Sequence, residues 1–235
     1  MTDFVLATVI VAVAAFVQAA VGIGFAMVAV PLLALIDLGY VPGASLFAML
    51  GLSLVMVWRG WGNIDGEGLS SLLPGLGVGT AVGALFLGSL PASAMGLIFG
   101  GAVLIGLMIG QLGLVLRRSV TSSALSGVIA GLMGTMAGIH GPALVVIYQN
   151  TAPRNARATI ALIFVIGSTL SLVSLYLSGL FGLLELLMGL TLWPGVLIGY
   201  VLAIGCGHRI SDIFARRVML GLAALSALLL ITTGF

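Results

Sequence analysis

Apolar residues run along this chain in blocks too long for the strands or surface helices of a soluble domain. The longest stretches without a charged residue are 4–36, 38–58, 68–116, 119–153, 158–184, 186–208 and 218–235. At about 20 apolar residues per bilayer crossing, 38–58, 158–184, 186–208 and 218–235 each predict one membrane helix. The stretch 68–116 predicts two, divided near Ser89-Leu90-Pro91. The stretches 4–36 and 119–153 fit neither one crossing nor two. As a single helix, 4–36 would extend about 50 Å against a hydrocarbon core of about 30 Å, and two crossings with a turn would need more than about 40 residues. Each holds a glycine-dense break: Val21-Gly22-Ile23-Gly24 in the first, and Gly134-Thr135-Met136-Ala137-Gly138-Ile139-His140-Gly141-Pro142 in the second. Each is either a tilted, broken span or a re-entrant pair of half-helices that leaves on the side it entered.

The placement of positive charge separates these readings, because basic residues collect on the cytoplasmic side. If both stretches were simple spans, Arg59, Arg117 and Arg118 would lie opposite Arg154, Arg157, Arg209, Arg216 and Arg217, which is no orientation signal. If both re-enter, all eight Arg fall on one face. The expectation is therefore an all-α polytopic membrane protein with six full spans, two re-entrant hairpins and both termini outside. The first membrane repeat is 1–118, with a hairpin at 4–36 and spans near 43–58, 69–88 and 91–115. The second is 119–235, with a hairpin at 120–150 and spans near 158–178, 183–206 and 214–233. Because each half makes three crossings, the second begins on the opposite side from the first, giving an inverted-topology repeat. Two short matches support it. Gly22-Ile23-Gly24-Phe25-Ala26 aligns with Gly138-Ile139-His140-Gly141-Pro142, and Pro74-Gly75-x3-Gly79 aligns with Pro194-Gly195-x3-Gly199.

Composition narrows the function. Of 235 residues, 61% are hydrophobic and 6% charged, against about 25% charged in a soluble domain, so almost nothing remains for an extramembrane domain. Glycine numbers 35, which suits close helix packing and interrupted helices in lipid. The net charge of +2 without a single Lys offers no basic patch for nucleic acid. The lone Cys206 excludes an internal disulfide and a Cys-based metal framework. There is no nucleotide-binding motif and no room for a nucleotide domain. No Lys or Arg precedes Arg59, so the first helix is expected to be retained, not cleaved as a secretory signal. An intramembrane hydrolase needs a nucleophile paired with a base. The chain has no Gly-x-Ser-Gly, no acidic dyad and no His-Glu-x-x-His, so no catalytic residue, metal ligand or cofactor is assigned.

The two breaks carry the chemistry. Backbone N–H groups opened at a half-helix start, with the helix dipole behind them, attract anions, and lipid tolerates such backbone only where it is buried or lines a cavity. The candidate substrate-binding residues are Gln18, Gly22, Ile23, Gly24, Phe25, Gly138, Ile139, His140, Gly141 and Pro142. Pro142 suits the first turn of its helix, where its missing N–H is not needed. His140 would donate to an anion or take a proton; alternatively it is a neutral His satisfied by carbonyls of the broken backbone. Gln18 is an amide in an otherwise apolar helix, one turn before the first break. Gln149 and Asn150 read as caps and Gln111 as an interhelical bond; Ser168, Thr169, Ser171 and Ser174 either offer hydroxyls to a substrate or, on the favoured reading, bond the preceding turn or pack between helices. The acids Asp3, Asp37, Asp65, Glu67, Glu185 and Asp212 fall at ends or loops, which argues against a coordinated cation. His208, beside Arg209, reads as interfacial. Arg154 and Arg157 could draw anions toward a cytoplasmic vestibule. The glycine-rich faces Gly75-x3-Gly79-x3-Gly83 and Gly127-x3-Gly131 read as packing surfaces, and such a face would suit a homodimer.

In its broken first helix, its Gly-Ile-Gly-Phe break with the echo at 138–142, and its paired Pro-Gly-x3-Gly segments, the chain resembles the TauE/SafE family of sulfite exporters from Phe4 to Phe235. The resemblance implies a bacterial or archaeal inner-membrane permease for sulfite, sulfoacetate or other small organosulfur anions, with the breaks at Gly22–Phe25 and Gly138–Pro142 as the anion site. Many relatives carry a Gly-rich run at the second break, where this chain has His140. A carrier or channel for a cation or neutral metabolite, using the same broken helices, is the alternative.

Overall fold

The computed structural model describes residues 2–112, 116–206 and 212–233. Eleven α-helices carry those residues: α1 Thr2–Val21, α2 Phe25–Ala34, α3 Gly43–Gly60, α4 Leu69–Gly88, α5 Met95–Gln111, α6 Val120–Ala137, α7 Gly141–Tyr148, α8 Pro153–Leu177, α9 Leu183–Thr191, α10 Trp193–Cys206 and α11 Asp212–Thr233. No strand occurs among the described residues. Six stretches, Asp3–Val21, Gly43–Asn63, Leu69–Gly88, Val120–Ala137, Pro153–Leu177 and Leu183–Gly205, are long and apolar enough to cross a membrane. Their outer faces leave Val78, Val82 and Leu85 of α4 and Leu197, Val201 and Leu202 of α10 exposed. In water such faces would drive aggregation; in lipid they are the surface. The chain is a multi-pass membrane protein.

Both glycine-dense stretches are broken where expected, but the arms are unequal. α1 has 20 residues and α2 has 10; α6 has 18 and α7 has 8. The cause is local chain geometry. α6 ends with Gly138 left-handed at φ 71°, its N–H bonded to the Gly134 carbonyl and the Ile139 N–H to the Met133 carbonyl. This is an αL closure with one longer bond beside it, and it takes the chain out of the helix only at Gly138. In the first break the Gly22 N–H still bonds the Gln18 carbonyl at 2.7 Å. Gly22 (φ 98°) and Gly24 (φ 123°) then turn the chain through backbone that side-chain-bearing residues rarely adopt. After Ala34 the chain continues without α-helix to Pro42, where the Asp37 carboxylate accepts the Gly39 N–H at 2.8 Å.

Two further boundaries differ from the sequence reading. α8 starts at Pro153, which suits a first helical position, so Arg154 and Arg157 lie on the helix and not in a loop ahead of it. The span expected at 183–206 is two helices meeting at Leu192. Pro194 there has no N–H to give the preceding turn and crowds its carbonyl.

α4 packs on α6, α1 on α10, α3 on α8 and α5 on α11. The short helices α2 and α7 are buried on nearly every residue, as central helices apolar all round must be. α2 packs against α1, α5 and α11, and α7 against α5 and α6. Helix contact is closest where glycine removes a side chain. At Gly75 and Gly79 any side chain would run into the carbonyl oxygens of Ala124 and Val128 on α6; at Gly195 and Gly199 it would run into those of Thr8 and Ala12 on α1. His208 and Arg209 lie outside the described residues.

Candidate functional site

The two breaks meet in space. The Ile23 side chain lies 3.6 Å from where a side chain on Gly141 would begin. Between them is a small cavity lined by Gln18, Ile23, Gly24, Gly138, Ile139, His140, Gly141 and Pro142, together with Ala26, Met27, Met49 and Phe164. Its free volume is about 10 Å³, barely one water. Two expected residues stand elsewhere. Gly22 lines a larger, open cavity described below. The Phe25 ring is fully buried in the main core, and only its backbone takes part, its N–H donating to Gln18 Oε1 at 3.2 Å.

Both α2 and α7 start at this cavity, so the unsatisfied N–H groups and positive dipole ends of two helices converge on it. Gln18 is buried, with Oε1 engaged by Phe25 and Nε2 without a protein partner. His140 is equally buried, tilted 54° to the Phe164 ring at 6.0 Å between centroids. The backbone of Gly138 and of Gly167 are its polar neighbours, yet neither ring nitrogen completes a hydrogen bond. Ser171 and Thr135 share a hydroxyl–hydroxyl bond of 2.8 Å between α8 and α6, Thr169 bonds its preceding turn, and Ser168 is buried without a partner. The described residues of the cavity wall therefore offer donors and apolar surface, and no carboxylate.

A second cavity of about 380 Å³ opens beside the first and is lined by Gly22, Gly106, Gly110, Tyr148, Gln149, Arg157 and Met219 among others. Ile23, Met27 and Pro142 line both cavities and form the partition between them. Arg157 lies across the first break: a side chain on Gly22 would begin 2.7 Å from its Cγ.

A cluster at the same end of the molecule was not singled out from the sequence. Arg118 donates to Asp65 at 2.7 Å, to Glu67 at 3.4 Å and to Thr151, and lies 4.7 Å over the Tyr148 ring. The Asp65 carboxyl is held below the ordinary carboxylate range, first by the Arg118 hydrogen bond and then by the Glu67 N–H. The Asp65 N–H in turn donates to Thr159 of α8 at 2.8 Å. The signal available was the count of charges, since Asp65 and Glu67 share the predicted cytoplasmic side with Arg118. Met49 and Phe164 carried none, being apolar residues in an apolar chain. Gln149 caps as expected, donating to the Val146 carbonyl.

A family model described as Sulfite exporter TauE/SafE matches residues 7–230. No curated protein and no solved structure gives a match.

Proposed function

The chain belongs to the sulfite exporter TauE/SafE family, a family of membrane transporters, and from that premise we propose that it is a secondary transporter. Its cargo is a small sulfur-containing anion, such as sulfite or an organosulfonate, carried across the bacterial inner membrane. The observation behind the site is the convergence of two helix starts, from separate broken segments, on one cavity that also holds an amide nitrogen without a partner. An anion there meets dipole ends, N–H donors and no carboxylate.

The scaffold we propose is the inverted repeat, with both termini outside and the arginines cytoplasmic. Three observations support it. Helix neighbours exchange in pairs: α4 packs on α6 as α10 packs on α1, while α3–α8 and α5–α11 join equivalent helices of the two halves. The glycine contacts exchange in register, Gly75 and Gly79 facing Ala124 and Val128 just as Gly195 and Gly199 face Thr8 and Ala12. Arg118, just before α6, bonds Thr151, just after α7, so 119–150 begins and ends at one side, as a re-entrant segment must.

The mechanism is alternating access. The small cavity is too tight for an oxyanion of four or more heavy atoms, so the conformation described is closed at the site and open on the arginine side. Movement of Ile23, Met27 and Pro142 would join the two cavities and admit the anion to the helix starts. Closing that partition and parting the opposite side would release it.

The test is flux. Purified protein in liposomes is challenged with sulfite, thiosulfate, sulfoacetate and taurine beside acetate, phosphate and chloride, at two pH gradients. Selective movement of a sulfur anion is expected, and its pH response reports the coupling. Failure with every anion, for folded protein, would turn the reading to a cation or neutral-solute carrier built on the same broken helices.

A further inference from the structure

A separate cavity of about 490 Å³ lies between α1, α3, α8 and α10, at the arginine-bearing end. Its wall holds Arg59, Arg154 and Arg157 with Asn63, and no acidic residue among the described residues that line it. The start of α8 at Pro153 adds a positive dipole end to the same wall. Arg59 and Arg154 are exposed and Arg157 is partly exposed, and a recess whose charged wall residues are all basic concentrates anions from solution. We propose that this cavity binds a phosphate-type oxyanion.

The rest of the wall says what carries it. Besides the arginines the lining includes Ala19, Met56, Tyr200, Ala203 and Ile204. Beside it α10 turns Val201, Leu202 and Ile204 outward, and the neighbouring Trp58 and Trp61 are 80% and 68% exposed. Exposed tryptophans mark the level of the headgroups, so the guanidinium groups sit where phosphates sit and the exposed aliphatic face where acyl chains run. Basic pockets between membrane helices on the cytoplasmic side take anionic headgroups in this way. The lipid phosphodiester is thus favoured over a free ion of the same chemistry. Arg157 lines both this cavity and the vestibule, and its stem lies against Gly22, so the wall of this cavity and the first break share a residue.

This assignment stands apart from the identity of the transported solute, and its test measures binding, not flux. The thermal unfolding midpoint of the detergent-purified full chain is titrated with phosphatidylglycerol, with phosphatidylcholine and with inorganic phosphate. Phosphatidylglycerol is expected to raise the midpoint and phosphatidylcholine to leave it unchanged. Arg59→Gln with Arg154→Gln should bind phosphatidylglycerol roughly 30-fold more weakly. Arg117→Gln with Arg217→Gln removes the same charge from exposed positions outside the cavity and should bind as wild type. Arg59→Lys with Arg154→Lys, which keeps the charge, guards against a fold defect and should restore most of the affinity. A response to inorganic phosphate that displaces the lipid, or that occurs alone, assigns the cavity to the free oxyanion. Equal weakening in both charge-removing pairs, or no response of the wild type to either ligand, overturns the site.

Discussion

The imidazole of His140 fills the space that a side chain on Gly134 would need. Gly167 bounds the ring on the α8 side, where a side chain would begin 2.7 Å from its Cδ2. The obstacle in both cases is a side chain and not backbone, so the fold can yield while the ring cannot stay. Gly134→Ala should therefore leave the protein in the membrane, at an overpacking cost of about 1–3 kcal/mol, and push His140 toward the cavity. Sulfur-anion flux per folded molecule should drop at least tenfold. Unchanged flux with a lowered unfolding midpoint would make His140 a packing residue only.

The glycine seam behaves differently, because there the obstacle is backbone. Gly79→Ala meets the Val128 carbonyl and Gly199→Ala meets that of Ala12; neither can retreat without moving a helix. Gly77 has open space around it, as does Gly205. Thermal unfolding should lower the midpoint in Gly79→Ala and in Gly199→Ala and leave Gly77→Ala and Gly205→Ala unchanged or slightly raised, Ala being the better helix former by about 1 kcal/mol. A pair of equivalent glycines with opposite responses would count against the repeat.

Much of this was legible in the sequence, and for one reason: in lipid, charge marks where helices end. The span at 69–88 coincides with α4, and both breaks fall on the glycines that suggested them. Illegible was whatever depended on small local contests. Whether Arg154 belongs to a loop or to a helix turns on Pro153, which can end one element or start the next. The long first arm and short second arm of each pair follow from where the left-handed glycines sit, and hydropathy does not report that. At the site, Gln18 and His140 stood out as polar residues in apolar surroundings. Phe25 reaches Gln18 by its backbone N–H while its ring packs in the core, because a break motif says where the backbone opens but not which way a ring on a buried helix will turn.

Gln18 offers a test of charge preference. Its Oε1 holds the Phe25 N–H and its Nε2 has no partner, so Gln18→Leu removes a donor that would meet an anion. About tenfold weaker apparent affinity is expected, with protein abundance retained. Gln18→Glu adds a carboxylate to a wall that has none. Concentration dependence of flux should show anion movement abolished in Gln18→Glu. A Gln18→Glu variant that moves cations faster than wild type would support the alternative carrier.

The Arg118 clasp sets a pH expectation. The Asp65 carboxyl titrates below its usual value of 3.8 because it is held as a carboxylate by Arg118 and the Glu67 N–H. A lowered folded value means that the stabilisation is complete above the unfolded value, near pH 4, and is lost as pH falls through the lower folded one. Asp65→Asn should therefore cost about 1 kcal/mol across pH 5–8 with no slope, and its midpoint should converge with wild type only below about pH 4. A difference that varies between pH 5 and 8 would place another titrating group in the clasp.

Sidedness is the last test, and it separates the two readings of the broken segments without reference to transport. Arg59, Arg154 and Arg157 share one cavity wall, and Arg118 bonds Thr151 at the same end. If the segments were simple crossings, Arg59 and Arg118 would lie across the membrane from Arg154. Single cysteines replacing Arg59, Arg117 or Arg154, in a Cys206→Ala background, should be shielded from an impermeant thiol reagent added to whole cells. Cysteines at Ser89 and Gly179, in the α4–α5 and α8–α9 connections, should label. Labelling at 154 with shielding at 59 would reverse the second half and remove the inverted repeat. Labelling at 59, 117 and 154 together would keep the repeat and turn the whole protein over, placing the open vestibule outside.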